Sequence, residues 1–153
     1  MTTTPASAPT PEKLKLGTQL CFALYSTLHG VTRLYRRLLR DLDLTYPQYL
    51  VMLVLWESDR LNVSEICDRL FLETTTLTPL LKRLESRGLV ERRRSKDDER
   101  QVIVHLTEAG RALRAEAEPI PDCILAGLGV PVEEVIDLRR RLVALRGHIH
   151  DVA

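Results

Sequence analysis

Apolar positions Cys21, Leu24, Leu28, Val31, Tyr35, Leu38 and Leu42 recur at steps of three and four. This is the spacing of one helix face, so Leu14 to Leu42 is predicted as one long helix. Its other flank carries Arg33, Arg36, Arg37 and Arg40, read as a solvated face with a subsidiary phosphate contact as the rival. Pro47 suits a first helical position, and the apolar run Tyr49 to Glu57 predicts a short core helix. Asn62 is an N-cap residue before VSEICDRL, which places Val63, Ile66 and Leu70 on one face of about two turns. A break at Phe71 to Glu73 precedes a fourth helix, capped by Thr74 or Thr75 and ended by Gly88, with Leu77, Leu80, Leu81 and Leu84 inward. Two short helices joined by a tight turn make a helix-turn-helix.

The period then changes. Leu89 and Val90 lead into ERRR, a polar SKDDE tip follows, and Val102, Val104 and Leu106 alternate along the return. This predicts a β-hairpin, a basic wing beside the helix pair. Thr107 caps a further helix through Glu118, Pro119 and Pro121 interrupt it, Cys123 to Leu128 resumes, and Pro131 opens a last helix with Val135, Leu138, Leu142 and Leu145 as its seam. The first and last helices carry more apolar surface than a small winged domain needs to cover itself, so a homodimer is expected. The expected class is mainly α with a small β-hairpin wing, about six helices per chain. Its parts are a mobile tail (1–13), a dimerisation helix (14–46), a winged helix-turn-helix (47–106) and C-terminal dimerisation helices (107–153).

With 153 residues, 44% of them hydrophobic and 28% charged, the chain fits one well-buried domain plus a dimerisation element. The net charge of +1 hides an asymmetry: Lys82 to Lys96 holds seven basic residues against two acidic ones, leaving the rest net acidic. That segment suits a polyanion. No apolar run approaches the roughly 20 residues needed to cross a bilayer, and MTTTPASAPTPEK does not read as a secretory signal. Three widely spaced cysteines, Cys21, Cys67 and Cys123, fit a reducing cytoplasm better than a disulfide framework.

A helix presenting Thr74, Thr75, Thr76, Thr78, Lys82 and Arg83 suits the major groove of double-stranded DNA, where hydroxyls and cations meet phosphates and base edges. Wing residues Arg92, Arg93, Arg94, Lys96 and Arg100 would reach the neighbouring backbone or minor groove. A charge run alone is usually a solvated face; coincidence with a helix-turn-helix and a hairpin favours DNA.

The segment TTTLTPLLKRLESRGLVERRRSKDDERQVIVHLTEAG resembles the recognition helix and wing of the MarR family of transcriptional regulators. The resemblance covers nearly the whole chain after the tail and implies a winged helix-turn-helix dimer on an inverted-repeat operator. It also implies that Arg100 enters the minor groove with Asp98 orienting it. Within that family, LCFALYSTLHGVTRLYRRLL followed by LDLTYPQYLVMLVLWE is similar to the OhrR-type organic hydroperoxide repressors. That similarity makes Cys21 the peroxide-reactive thiolate and Tyr35 and Tyr46 its hydrogen-bond donors. It also makes Cys123 the residue that resolves the sulfenic acid as an intersubunit disulfide. Organic hydroperoxide is then the inducer, operator release the outcome, and no cofactor is called for.

The residues add a constraint of their own. Cys21 and Tyr35 lie 14 positions apart on one predicted helix. At about 1.5 Å per residue they are roughly 21 Å apart and cannot touch within one chain. If they meet, the tyrosine comes from the partner. A phenol O–H donated to sulfur favours the thiolate, the form that attacks peroxide. Apolar Leu20, Phe22, Leu24 and Leu28 suit an organic tail better than hydrogen peroxide. Tyr25 is a rival hydrogen-bond partner, and Cys67, next to Ile66, reads as packing. The alternative function is a regulator of the same fold released by non-covalent binding of a small aromatic ligand. Metal sensing is disfavoured because His148 and His150 point to different helix faces. A thiol peroxidase is disfavoured because strands and helices do not alternate.

Overall fold

The computed structural model describes residues 11–152, so most of the expected N-terminal tail, residues 1–10, lies outside the described residues. The chain divides between Arg33 and Leu34 into two units. In the first, Glu12–Leu14 and Leu16–Thr18 are single 3-10 turns, and α1 (Leu20–Leu38) begins after them and runs on past the boundary. The predicted helix is therefore shortened at both ends. Gly17 lies in the second 3-10 turn, and after Leu38 the backbone turns through Asp43, whose φ is +50°.

In the second unit, α2 (Tyr46–Glu57) starts from a capping box: Thr45 Oγ accepts from the Gln48 N–H, and the Gln48 side chain accepts from the Thr45 N–H. Its six buried residues include Tyr49, Val51, Met52, Val54 and Leu55, and the apolar character runs all round, as suits a central helix. α3 (Val63–Leu70) has the predicted Asn62 cap, completed by Glu65 into a second capping box, and ends at Phe71 with φ +55°. α4 (Thr74–Ser86) departs from expectation at its start. Glu73, not Thr74 or Thr75, holds the cap position and makes no side-chain cap bond, so the threonines are all helical. Leu77, Leu81 and Leu84 are buried and Leu80 partly so.

The wing is β2 (Val90–Arg94) paired antiparallel with β3 (Val102–Leu106), Val90 opposite Leu106 and Arg94 opposite Val102. A two-residue strand, β1 (Leu61–Asn62), adds to the other edge of β3 and gives the order β1-β3-β2. It is too short to carry an alternation of its own and was not predicted. α5 (Glu108–Ala117) is capped by Thr107, whose Oγ accepts from the Gly110 N–H. Pro119 separates it from α6 (Ile120–Leu128), which begins three residues earlier than expected with Pro121 in its first turn, where a proline loses no helix bond. Gly129 ends α6 at φ +68°, and α7 (Val132–Val152) closes the chain.

Asp59 fastens the wing's base. Its carboxylate accepts from the N–H groups of Leu106 (2.8 Å) and Arg60 (2.8 Å) and from Arg111 Nη2 (2.7 Å). Burial pushes this carboxyl up, but those donors outweigh it and hold it below the usual aspartate range. A carboxyl depressed on folding stabilises above its unfolded pKa, near 3.9, and that contribution is lost as pH falls through the folded value. Asp59→Asn is expected to lower stability by about 1–2 kcal/mol at pH 7 and to weaken the stability loss on the acid side. Urea unfolding at pH 7 and pH 3 measures both.

Candidate nucleic-acid interface and sensing residues

On α4, Thr74, Thr75, Thr76, Lys82 and Arg83 are exposed and Thr78 is half-buried with its hydroxyl on the Thr74 carbonyl (2.8 Å). Buried Cys67 places its sulfur 3.8 Å from the Thr74 hydroxyl, tying α3 to the start of α4 as a packed thiol. The basic run is divided in use. Arg92 is turned inward: its Nε (3.0 Å) and Nη2 (2.7 Å) meet one Glu85 oxygen while its N–H meets the other (3.0 Å). This contact, with the side chain of Arg92 as the main cause, holds Glu85 below the usual carboxylate range. Arg92 thus joins the wing to α4, contrary to its expected reach toward a phosphate.

Arg87 also faces the protein, donating to the carbonyls of Asp43 and Leu42, the latter at 3.1 Å. Arg93 pairs with Glu91 across the same strand face at 2.5 Å and stays exposed. Arg94, Lys96 and Arg100 are exposed on the wing. At its tip, Asp98 Oδ1 accepts from the backbone N–H of Arg100 (3.0 Å) and Oδ2 from Gln101 Nε2 (3.3 Å). Asp98 therefore sets the backbone turn that carries Arg100 and does not grip its guanidinium, the one adjustment to the expected pairing. Asn62, Thr74, Thr78, Arg92, Arg100 and Gln101 line an open groove of about 440 Å³ between the helix pair and the wing.

The two predicted tyrosines meet. Tyr35 and Tyr46 are half-buried and stacked, ring centroids 4.2 Å apart at 27°, with buried Tyr49 at 5.8 Å from Tyr35. Burial, then the neighbouring Tyr46 and Tyr49, pushes the Tyr35 phenol up to about 12, and burial raises Tyr46 as well. Both remain O–H donors at neutral pH. Cys21, in the first unit, and Cys123, on α6, are exposed thiols. Rival Tyr25 is instead in edge contact with His29 at 4.2 Å.

Residues 33–116 match the family model described as transcriptional regulator SarA/Rot. The chain is a transcriptional regulator of the SarA/MarR family. The regulator is 48% identical over 135 residues to the HTH-type transcriptional regulator TtmR of Methylorubrum extorquens strain PA1, spanning 88% of this chain and 69% of the relative. It is 42% identical over 139 residues to the organic hydroperoxide resistance transcriptional regulator of Bacillus subtilis strain 168, spanning 91% and 95%. Among solved structures, reduced AbfR bound to DNA matches with a TM-score of 0.75 at 34% identity over 90% of this chain and 96% of that one. AbfR, also solved from Staphylococcus epidermidis, matches in its disulfide form with a TM-score of 0.60 at 33% identity over 92% and 94%. The regulator thus has the expected mainly helical winged fold and belongs to a family of regulators and not of enzymes. No described helix is long and apolar enough to cross a membrane.

Sequence reasoning passed over Asp59, Glu85, Trp56 and Gly110. The Trp56 indole N–H donates to the Gly110 carbonyl at 2.9 Å, and Gly110 sits so close to the wing's base that a Cβ there would lie 2.0 Å from the Leu89 carbonyl oxygen. A glycine in the first turn of a capped helix was the available signal.

Proposed function

We propose that the regulator is a homodimeric repressor that binds an inverted-repeat DNA operator when reduced and releases it after organic hydroperoxide oxidises Cys21. The observation that carries this reading is the stacked Tyr35–Tyr46 pair, two protonated phenols on one chain, ready to serve a thiolate. Cys21 lies 14 residues from Tyr35 along the chain, so the pair serves the partner's thiol. The hydroperoxide response of the Bacillus relative, by its name, and the reduced and disulfide states of AbfR support the same reading. Exposed Leu20, Phe22 and Leu28 on α1, and Ile136, Leu138 and Val143 on α7, supply apolar surface for a second copy to cover.

On DNA, α4 enters the major groove with Thr74, Thr75, Thr76, Thr78, Lys82 and Arg83, and the wing follows the backbone with Arg93, Arg94 and Lys96 while Arg100 enters the minor groove. The Cys21 thiolate attacks the distal peroxide oxygen, the O–O bond breaks, and the alkoxide leaves with a proton as alcohol. Sulfur, oxidised by two electrons, becomes a sulfenic acid. The partner's Cys123 thiolate then attacks that sulfur, the S–O bond breaks, and the oxygen leaves as water. The disulfide requires Cα atoms within about 7 Å, so helices that rest farther apart must shift to form it, and that shift moves the two α4 helices off their half-site spacing. Cellular thiols reverse it.

Non-reducing electrophoresis after one equivalent of cumene hydroperoxide tests the chemistry. The expected result is a covalent dimer in wild type that is absent from both Cys21→Ser and Cys123→Ser. A dimer surviving in Cys21→Ser would remove that cysteine from the mechanism, and a wild type that stays monomer-sized would remove Cys123 as resolving residue.

A further inference from the structure

Four aromatic side chains of the second unit form a continuous run. The stacked Tyr35 and Tyr46 lead to Tyr49 at 5.8 Å from Tyr35, and Tyr49 meets Trp56 edge-on at 6.3 Å. Three of these residues lie on α2, one turn to two turns apart, so the run travels along that helix from its N-terminus toward its C-terminus. At the far end the Trp56 indole donates to Gly110, and Gly110 lies against the Leu89 carbonyl at the root of β2. Thr107 pins the same place, its hydroxyl on the carbonyls of Gly88 (2.6 Å) and Leu89 (3.1 Å) and its N–H also on Leu89 (3.1 Å).

We propose that this ring run is the link that carries a rearrangement of the sensing tyrosines into the wing, with the Trp56 N–H as its outlet. The inference rests on the redox reading above and adds to it a route from sensor to DNA. Two features suit a transmitting element over plain core. Its rings are large and stiff, so displacing one displaces its neighbour, because a packed interior has no slack. Slack exists on one side: a cavity of about 320 Å³ is bordered by Tyr49, Leu53 and Trp56 from α2, Arg114 and Ala117 from α5, and Pro121 from α6. Pro121 is two residues from Cys123, so a disulfide that draws on α6 acts on the cavity wall toward which Tyr49 and Trp56 have room to move. The two inputs, loss of the tyrosine–thiolate bonds and tension on α6, then converge on one indole.

Trp56 is the chain's one tryptophan, so its emission reports this position alone. The experiment follows three readouts on the full-length protein before and after one equivalent of cumene hydroperoxide: Cys21 oxidation by mass spectrometry, Trp56 fluorescence, and operator affinity by anisotropy. Wild type is expected to change its Trp56 emission as it loses operator affinity by about 10- to 100-fold, a span usual for coupling between sites. Trp56→Phe, which keeps a ring and deletes the donor, is expected to oxidise at Cys21 and bind the operator normally when reduced, yet lose less than about threefold in affinity on oxidation. Full release by oxidised Trp56→Phe would overturn the link, as would wild-type emission that stays fixed while the operator is released. The fluorescence arm decides the matter if the variant fails to fold. Failure of Cys21 to gain oxygen or a disulfide would instead overturn the redox reading itself, and the link with it.

Discussion

Cys21→Ser protein is expected to hold its operator, within about twofold of its untreated affinity, at a hydroperoxide concentration that weakens wild type by about 100-fold. Serine fills nearly the same volume and leaves the helix intact, but its hydroxyl stays protonated at neutral pH and cannot take the peroxide oxygen as sulfur does. The tyrosines shape the rate without replacing the thiol. With Tyr35 pushed up to about 12 by burial and its tyrosine neighbours, the phenol is a donor across the whole neutral range. A phenol hydrogen bond to sulfur favours the charged thiolate over the thiol, and its loss disfavours it. Tyr35→Phe is therefore expected to slow oxidation of Cys21 and leave reduced-state binding unchanged. Anisotropy with a labelled operator, with hydroperoxide added stepwise, reads both variants. Release of Cys21→Ser by a small aromatic compound, with no response to hydroperoxide in wild type, would transfer the regulator to ligand control.

Gly110→Ala is expected to cost about 3 kcal/mol, a loss of about 10 °C in midpoint for a chain of this size. Its Cβ would stand 2.0 Å from the Leu89 oxygen and 3.1 Å from the Leu89 carbon, both backbone atoms. A side chain could rotate away; this carbonyl cannot, because it accepts from the N–H and hydroxyl of Thr107. The clash must push α5 off the wing, and that movement also strains the Trp56 bond to the Gly110 carbonyl. Gly147→Ala in α7 is the control: nothing lies within 4 Å of its would-be Cβ, and alanine there is expected to stabilise by up to about 1 kcal/mol. Thermal unfolding followed by circular dichroism compares the two. A Gly110→Ala midpoint equal to wild type would mean that the α5–wing packing yields freely.

Much of the fold was legible because its signals are local. The Asn62 and Thr107 caps, the glycine stop at Gly88, and the alternation from Val102 to Leu106 each depend on backbone geometry within a few residues. Where local signals competed, the reading slipped. Two adjacent threonines, Thr74 and Thr75, offered themselves as caps for α4, yet Glu73 took the position, so the threonine face is helical from its first residue. The apolar period of the first helix continues to Leu42, past the end of α1 at Leu38, because it does not register the turn at Asp43. That turn is held by Arg87, some forty residues away in sequence.

By itself, the sequence determined the helix-turn-helix, the wing, and the exposed apolar seams of α1 and α7, since periodicity and capping chemistry are written position by position. Only the tertiary structure decided which charges stay available and which groups meet. Arg92 and Arg87 look like any other members of the basic run, but Glu85, Asp43 and the Leu42 carbonyl claim them for the protein. Tyr35 and Tyr46 became a stacked pair, and Gly110 a point of backbone contact, through approaches between distant segments. Such approaches follow from how helices and strands pack around a shared core, a property of distances in space that no spacing along the chain encodes.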